Sequence, residues 1–343
     1  MTNVQLKKKS DEAPVFPDEI AHLDSIKGKL DQAIKQAHDS VEQTDKEYRN
    51  VKRYMVQHCG EIDPHEMFQN ELSLKQMDNL GAFAVEARNK LAKLLDSPYF
   101  ARIDFRKTAK DSPAAFYLGR FAFIHDNELL ISDWRSPVAS MFYDCEVGPA
   151  GYAAPAGRVD GELTRKRQFK IKNGEMEYAL ESSVNIHDDV LQRELSQTSD
   201  EKMKSIIATI QQEQNRIIRN EKSGTLLIQG VAGSGKTSIA LHRIAYLLYR
   251  YKDRLSAKNI LLLSPNKVFG DYISNVMPEL GEEPLSGISF ADIAEVQLEG
   301  IIHFEPDKDP LETDDPRWAR RVRFKSTLDF KKLMDEYLSG MFE

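Results

Sequence analysis

Eight residues constrain this chain more than any others: Gly230, Val231, Ala232, Gly233, Ser234, Gly235, Lys236 and Thr237 fit the pattern G-x-x-x-x-G-K-[ST]. The glycines let the backbone turn tightly and aim its N–H groups at an anion. Such a loop needs a strand before it and a helix after it, and both are legible. Thr225 to Gln229 is a short apolar run, the mark of a buried parallel strand. Beyond the loop, Ala240, Leu241, Ile244, Leu247, Leu248 and Tyr251 recur at helical spacing, with no breaker through Tyr251. The start of that helix faces the anion. In this pattern Lys236 reaches the β and γ phosphates of a nucleotide, the Thr237 hydroxyl holds Mg²⁺, and Ser238 adjoins them. The expected cofactors are ATP and Mg²⁺. The competing reading is an ordinary glycine-rich turn.

The flanks extend this unit. Asn259 to Ser264 reads as a second buried strand, followed by Pro265, Asn266, Lys267 and a helix from Val268 to Leu280. Strand, loop, helix and strand make a βαβ unit with parallel strands. Upstream, residues 188–222 have a helical period that includes Gln214. A glutamine amide offers adenine both a donor and an acceptor. Phe290 and Ile293 open a further helix. An acidic, proline-bearing loop (Glu305 to Pro316) then leads to an amphipathic helix from Arg317. Its basic run, Arg320, Arg321, Arg323 and Lys325, reads as a solvated face among interspersed acids.

The first hundred residues have a different period. Residues 1–17 are polar and read as a mobile tail. Leu30, Ile34, Ala37, Val41, Thr44, Tyr48, Val51 and Met55 then alternate at spacings of four and three, a heptad seam. Gly60 and Pro64 mark a turn, after which Met77, Leu80, Ala84, Ala87, Leu91 and Leu94 repeat the spacing. Two such helices make an antiparallel coiled-coil hairpin over 18–97, about 60 Å long at 1.5 Å per residue. Its tip carries Glu61, Asp63 and Glu66. These acids suit either the start of the second helix or a rod end built to reach into a partner.

Residues 99–185 switch to strand formers, at Arg102–Arg106, Phe116–Ile124 and Leu129–Trp134. Asn173-Gly174 turns a hairpin between Phe169 and Leu180, and the Gly- and Ala-rich stretch 148–157 reads as a loop. Asp133-Trp134-Arg135-Ser136-Pro137 reads as a packed, hydrogen-bonded corner rather than a catalytic set.

Composition closes off other classes. The chain has 343 residues and a net charge of -7, so bulk attraction to nucleic acid is not indicated. Its two cysteines, Cys59 and Cys145, share no metal or disulfide spacing, which fits a reducing cytoplasm. No signal peptide is legible, and no stretch approaches the ~18 apolar residues of a membrane span.

Gln214, the Gly230–Thr237 loop and Pro265-Asn266-Lys267 resemble the adenine-reading, phosphate-binding and strand-contacting motifs of UvrD/Rep-like superfamily 1 helicases. The order of hairpin, β-rich module with Asp133–Pro137 and Phe142-Tyr143, then this loop with Leu241-His242-Arg243-Ile244-Ala245, more closely resembles the bacterial HelD family. The resemblance implies a multidomain α + α/β protein. Its parts are a hairpin (18–97), a β-rich module (98–187), an incomplete first RecA-like P-loop domain with a parallel sheet (188–299) and the start of a helical insertion (300–343). It also implies an ATP-driven motor that binds RNA polymerase and releases it from nucleic acid, with DNA as a further partner. The hairpin would enter the polymerase secondary channel with Glu61, Asp63 and Glu66 near the tip, and Asn266 and Lys267 would contact the nucleic acid.

Two departures shape the expectation. Ser264-Pro265 stand where unwinding members carry an aromatic–threonine pair, so a stacking platform is missing. None of Asp11-Glu12, Asp18-Glu19, Asp200-Glu201 and Asp335-Glu336 follows a run of four apolar residues, so no acidic pair of the hydrolytic type is legible. The expectation is an N-terminal part that binds ATP–Mg²⁺ weakly and turns it over poorly. The alternatives are a duplex-unwinding helicase, a polymerase-binding module that needs no nucleotide, and a P-loop enzyme of another kind.

Overall fold

The computed structural model describes residues 16–181, 210–222, 224–231, 233–264, 270, 273–274, 276–301, 303 and 317–341. Ala232, Asn266, Lys267, most of the 1–17 tail and the 305–316 loop lie outside them.

Two long helices open the fold, α1 (Pro17–Gln57) and α2 (Pro64–Asp96). They pack antiparallel: the Tyr54 hydroxyl donates to Glu66 Oε1 at 3.0 Å near the tip, and Leu30 joins Leu94 at the base. The α1 seam runs as its spacing predicts. On α2 the seam departs from expectation, because Leu80 is 62 % exposed and Ala87 also faces solvent. Gly81 takes the seam position, and its Cβ would lie 3.8 Å from the Thr44 methyl. Met77, Ala84 and Leu91 fix the seven-residue repeat, and the intervening seam residue falls four positions on rather than three. Gly81 and Arg88 occupy those places.

A seven-stranded mixed sheet follows, in the order β3-β4-β2-β1-β6-β5, with β7 also on β6. Its strands are β1 (Ala101–Arg106), β2 (Ala114–Gly119), β3 (Phe123–His125), β4 (Glu128–Asp133), β5 (Gly148–Ala154), β6 (Gly157–Lys172) and β7 (Glu175–Glu181). A short helix, α3 (Ser140–Asp144), precedes β5. The sheet curls along β6. Residues 162–168 of β6 pair with β1, its first residues with β5 and its last with β7. The 148–157 stretch is therefore a strand and turn, not a loop. Backbone pairing at an edge does not depend on side-chain propensity, and the small residues permit close approach: a Cβ on Gly151 would lie 2.7 Å from the Val159 carbonyl. The turn at Asn173-Gly174 is as expected, with φ of 52° and 70°.

Alternation across the sheet divides the core. On one face Tyr117, Ile131 and Phe169 meet Leu23, Ile26, Leu30 and Leu94 of the hairpin base. On the other, Ile103, Leu118, Trp134 and Leu163 meet the remaining elements. Those include α4 (Gln212–Ile218), α5 (Lys236–Arg250) and Leu262 of β8 (Leu262–Ser264); β8 pairs in parallel with β9 (Gly287–Ser289), which runs into α6 (Phe290–Leu298). The helix expected from Arg317 is two, α7 (Trp318–Lys325) and α8 (Leu328–Met341). Among the described residues no helix is long and apolar enough to cross a membrane.

The parallel sheet is smaller than predicted. Thr225–Gln229 forms no strand, and Leu227 is 86 % exposed. A parallel strand is stable when neighbours flank it and helices cover both faces. Among the described residues beyond Gln229 the parallel pairing is that of β8 with β9.

Charge fixes the hairpin base to the sheet. The Glu19 carboxylate is fully buried. It accepts from Arg102 Nη1 at 2.8 Å, Arg167 Nη1 at 2.7 Å and the Tyr117 hydroxyl at 3.0 Å. Removing one member of such a buried cluster leaves the others uncompensated. Glu19→Ala is expected to lower unfolding stability by about 3–5 kcal/mol in urea titrations, whereas Asp18→Ala, whose side chain is 56 % exposed, changes it much less. Equal effects would contradict this role for Glu19.

Candidate functional site

The glycine-rich loop runs directly into α5. Gly233 and Gly235 both have φ of 80°, a left-handed conformation that side chains with a Cβ resist. At Gly230 the loop closes on itself: a Cβ there would lie 2.6 Å from Ser234 Oγ, so that hydroxyl would have to turn away. Lys236 folds back across the loop, and its Nζ donates to the Gly230 and Val231 carbonyls at 2.9 and 2.7 Å. Its ammonium thus stands at the mouth of the turn, beside the first N–H groups of a 15-residue helix. Thr237 and Ser238 are half-buried in the first turn.

Gln214 comes to this loop from α4. Its Nε2 lies 4.0 Å from the point that a Cβ on Gly235 would occupy. Its Oε1 accepts from the Gln211 N–H at 3.1 Å, which holds the amide toward the loop. The structure thus brings together Gln214, Gly230, Val231, Gly233, Ser234, Gly235, Lys236, Thr237 and Ser238. Glu61, Asp63 and Glu66 lie far along the hairpin. There Asp63 caps α2, with Oδ1 accepting from the His65 and Glu66 N–H groups at 2.7 and 3.2 Å. Glu66 accepts from Tyr54, and Glu61 is exposed. Among the described residues no group of three His, Cys, Asp or Glu side chains converges as a metal site.

Sequence reasoning missed the residues that hold α4 in place. Asn215, fully buried, donates from Nδ2 to Asp144 Oδ1 at 2.9 Å, and Gln212 Nε2 donates to the Asp144 carbonyl at 2.8 Å. Burial pushes the Asp144 carboxyl up, against the pull of Asn215 and Arg219. Arg243 of α5 donates to the Ile217 carbonyl at 2.7 Å. Arg219 donates to three successive carbonyls, of Trp134 at 2.7 Å, Arg135 at 3.1 Å and Ser136 at 3.3 Å. These partners stand far apart in the chain and leave no local period to read.

The Asp133–Pro137 segment is the packed corner expected. Trp134 is fully buried. Arg135 pairs with Asp133 Oδ2 at 2.7 Å and with Glu282, and its guanidinium stacks 4.8 Å from the Tyr249 ring of α5. Burial opposes the Arg135 charge, but Asp133 and Glu282 outweigh it and raise its pKa. Lys93 of the hairpin adds a bond to the Pro278 carbonyl at 3.0 Å.

His242 of α5 completes the corner. Its Nδ1 donates to the Ser238 carbonyl at 2.7 Å, and its ring meets Trp134 edge-on at 5.5 Å. Its Nε2 is buried with no hydrogen-bond partner. A second proton would stand there without an acceptor, and burial lowers the imidazole pKa to about 4.

A model of the DNA helicase IV HelD N-terminal domain matches residues 16–222, more than half of the 343-residue chain. A model of the UvrD/REP helicase N-terminal domain matches residues 210–268. No curated protein matches the chain. The two matches overlap across α4 and Gln214, and together with the fold they define a helicase-type protein of superfamily 1. Within that class, the chain belongs to the HelD family.

A neutral buried histidine ties stability to pH. The unfolded imidazole titrates near 6.5 and the folded one near 4, so the unfolded state binds more protons in between. The stability that neutral His242 contributes is full above about pH 6.5 and is lost as pH falls through about 4. His242→Leu is expected to flatten the decline in urea midpoint between pH 7 and pH 5. An unchanged slope would show that other groups carry it.

Proposed function

We propose that the chain is the ATP–Mg²⁺-binding, N-terminal part of a superfamily 1 motor that binds RNA polymerase and serves to release it from nucleic acid. The observation that carries the nucleotide reading is the convergence of Gln214 on Gly235. Two segments from different elements meet where a nucleotide presents its base at one end and its phosphates at the other. Lys236 exchanges the Gly230 and Val231 carbonyls for β- and γ-phosphate oxygens, and the loop N–H groups and the α5 N-terminus stabilise the remaining charge. Thr237 supplies the protein oxygen for Mg²⁺. The 210–268 match supports this reading, as does the position of β8, which ends at Ser264 just before Asn266 and Lys267. In a RecA-like fold the Thr225–Gln229 segment is a strand flanked by parallel neighbours. Asn266 and Lys267 then lie toward the nucleic acid.

The hairpin supports the polymerase reading. It is a long rod fixed at its base, with an exposed tip. Of the three tip acids, Glu61 is the one left to meet a partner, because Asp63 caps α2 and Glu66 accepts from Tyr54. No acidic pair of the hydrolytic type is legible in the sequence, and an arginine at the transition state is worth about 10³–10⁵ in rate; in this reading ATP–Mg²⁺ is bound and hydrolysed slowly.

Fluorescence titration with an ATP analogue in Mg²⁺ is expected to give saturable binding that Lys236→Ala weakens at least about tenfold, a loss of ~1.4 kcal/mol. Equal affinity in the variant would reject the nucleotide reading. Polymerase capture is expected to survive Lys236→Ala and to weaken when Gly60–Glu66 is replaced by a neutral turn. Unchanged capture after deletion of residues 18–97 would reject the polymerase reading.

A further inference from the structure

α4 faces two ways. Gln214 turns to the glycine-rich loop, while its neighbours Gln212 and Asn215 turn to Asp144 at the end of α3. Seven residues form only two turns, too short a helix to hold its own position. Its place is set from outside. Asp144 accepts one bond through its carboxylate and one through its carbonyl, and Asn215 is fully buried where it meets that carboxylate. The same Asn215 uses its Oδ1 to accept from Arg219 Nε at 3.0 Å. The amide of Asn215 is therefore oriented from both ends, and Gln214 is the next residue along the backbone.

We infer that Asp144, in the β-rich module, is a positioning residue for adenine selection: it fixes the azimuth of α4 and so aims the Gln214 amide at the base. This rests on the nucleotide reading proposed above. Adenine presents an N6 donor beside the N7 acceptor, whereas guanine presents the O6 acceptor there. A glutamine held in one orientation accepts from the first and donates to N7. Against guanine its carbonyl oxygen meets another oxygen. A glutamine free to turn by a rotamer loses that distinction. The phosphate end uses other groups, because Lys236 and the loop N–H groups, not the Gln214 amide, meet the triphosphate. Base discrimination and triphosphate affinity are thus carried by different parts, and the module that bears the hairpin owns the first of them. By linkage, a partner that displaces Asp144 changes nucleotide preference, and the nucleotide changes affinity for that partner by the same factor.

The test is the ratio of ATP to GTP affinity, measured with Mg²⁺ on the full 343-residue chain, beside affinity for inorganic triphosphate. Asp144→Ala is expected to lower the ratio about tenfold, the value of one good amide–base pair, with triphosphate affinity unchanged. Asp144→Asn retains an acceptor for Asn215 and is expected to restore the ratio. Gln212→Ala, from a half-buried site, serves if Asp144→Ala does not fold, and lowers the ratio in the same direction. A wild-type chain without ATP preference, an unchanged ratio in the variants, or equal loss for both nucleotides and triphosphate would overturn the assignment. Lys236→Ala separates the two readings. If it abolishes binding of both nucleotides while the Asp144 variants keep their ratio, only the role of Asp144 fails. If it binds ATP like wild type, the nucleotide reading itself fails.

Discussion

The guanidinium of Arg219, spread across the carbonyls of Trp134, Arg135 and Ser136, is the contact on which the rest of this structure depends. Three consecutive carbonyls that point the same way belong to a turn, not to a strand or helix, and buried carbonyls need donors. Arg219 supplies them from α4, with its own charge buried beside the Tyr246 ring at 5.2 Å. The arrangement joins two pieces of chain that share no hydrogen-bonded strand. Asp133, Arg135, Glu282 and Tyr249 widen the joint, and Trp134 fills its centre. The charges here are paired and hydrogen-bonded, the condition under which burial of ions is tolerated.

The same sheet is held from its other face by the hairpin base. Glu19 takes up the positive charge of Arg102 and Arg167, and Tyr117 contributes both a hydroxyl to Glu19 and a face for His22 at 3.9 Å. Asp96 at the end of α2 accepts from Asn173 and Gly174 of the β6–β7 turn, which fixes the hairpin at a second point. The hairpin base is thus joined to the sheet, and the sheet is joined through the corner to α4 and the glycine-rich loop.

Much of this was legible in residue spacing. The glycine-rich loop and α5 follow from local pattern, because positive φ at Gly233 and Gly235 and the apolar stripe after Lys236 leave few alternatives. The two long helices follow from the seven-residue repeat, although Gly81 and Arg88 displaced Leu80 and Ala87 from the seam. Spacing misled where pairing overrides propensity, at β5, and where a strand lacks neighbours, at Thr225–Gln229. The Asp63 cap resolves one of the two readings its position left open. The tertiary roles of Asp144, Asn215, Arg219 and Glu19 were beyond reach, since each joins residues from different elements and no period in a single segment encodes such a pair.

Hairpin, sheet and glycine-rich segment are joined as one cooperative unit through the Trp134 corner. Without the sheet, the hairpin helices would lose Tyr117, Ile131 and Phe169 from their base and would be marginal alone. The chain has two tryptophans, so Trp318→Phe leaves Trp134 as the fluorescent reporter of the corner. Urea unfolding followed by Trp134 fluorescence and by the helical far-ultraviolet signal, dominated by α1 and α2, tests the claim directly. Coincident transitions with a common midpoint are predicted. A helical signal that persists well beyond the loss of Trp134 burial would contradict it.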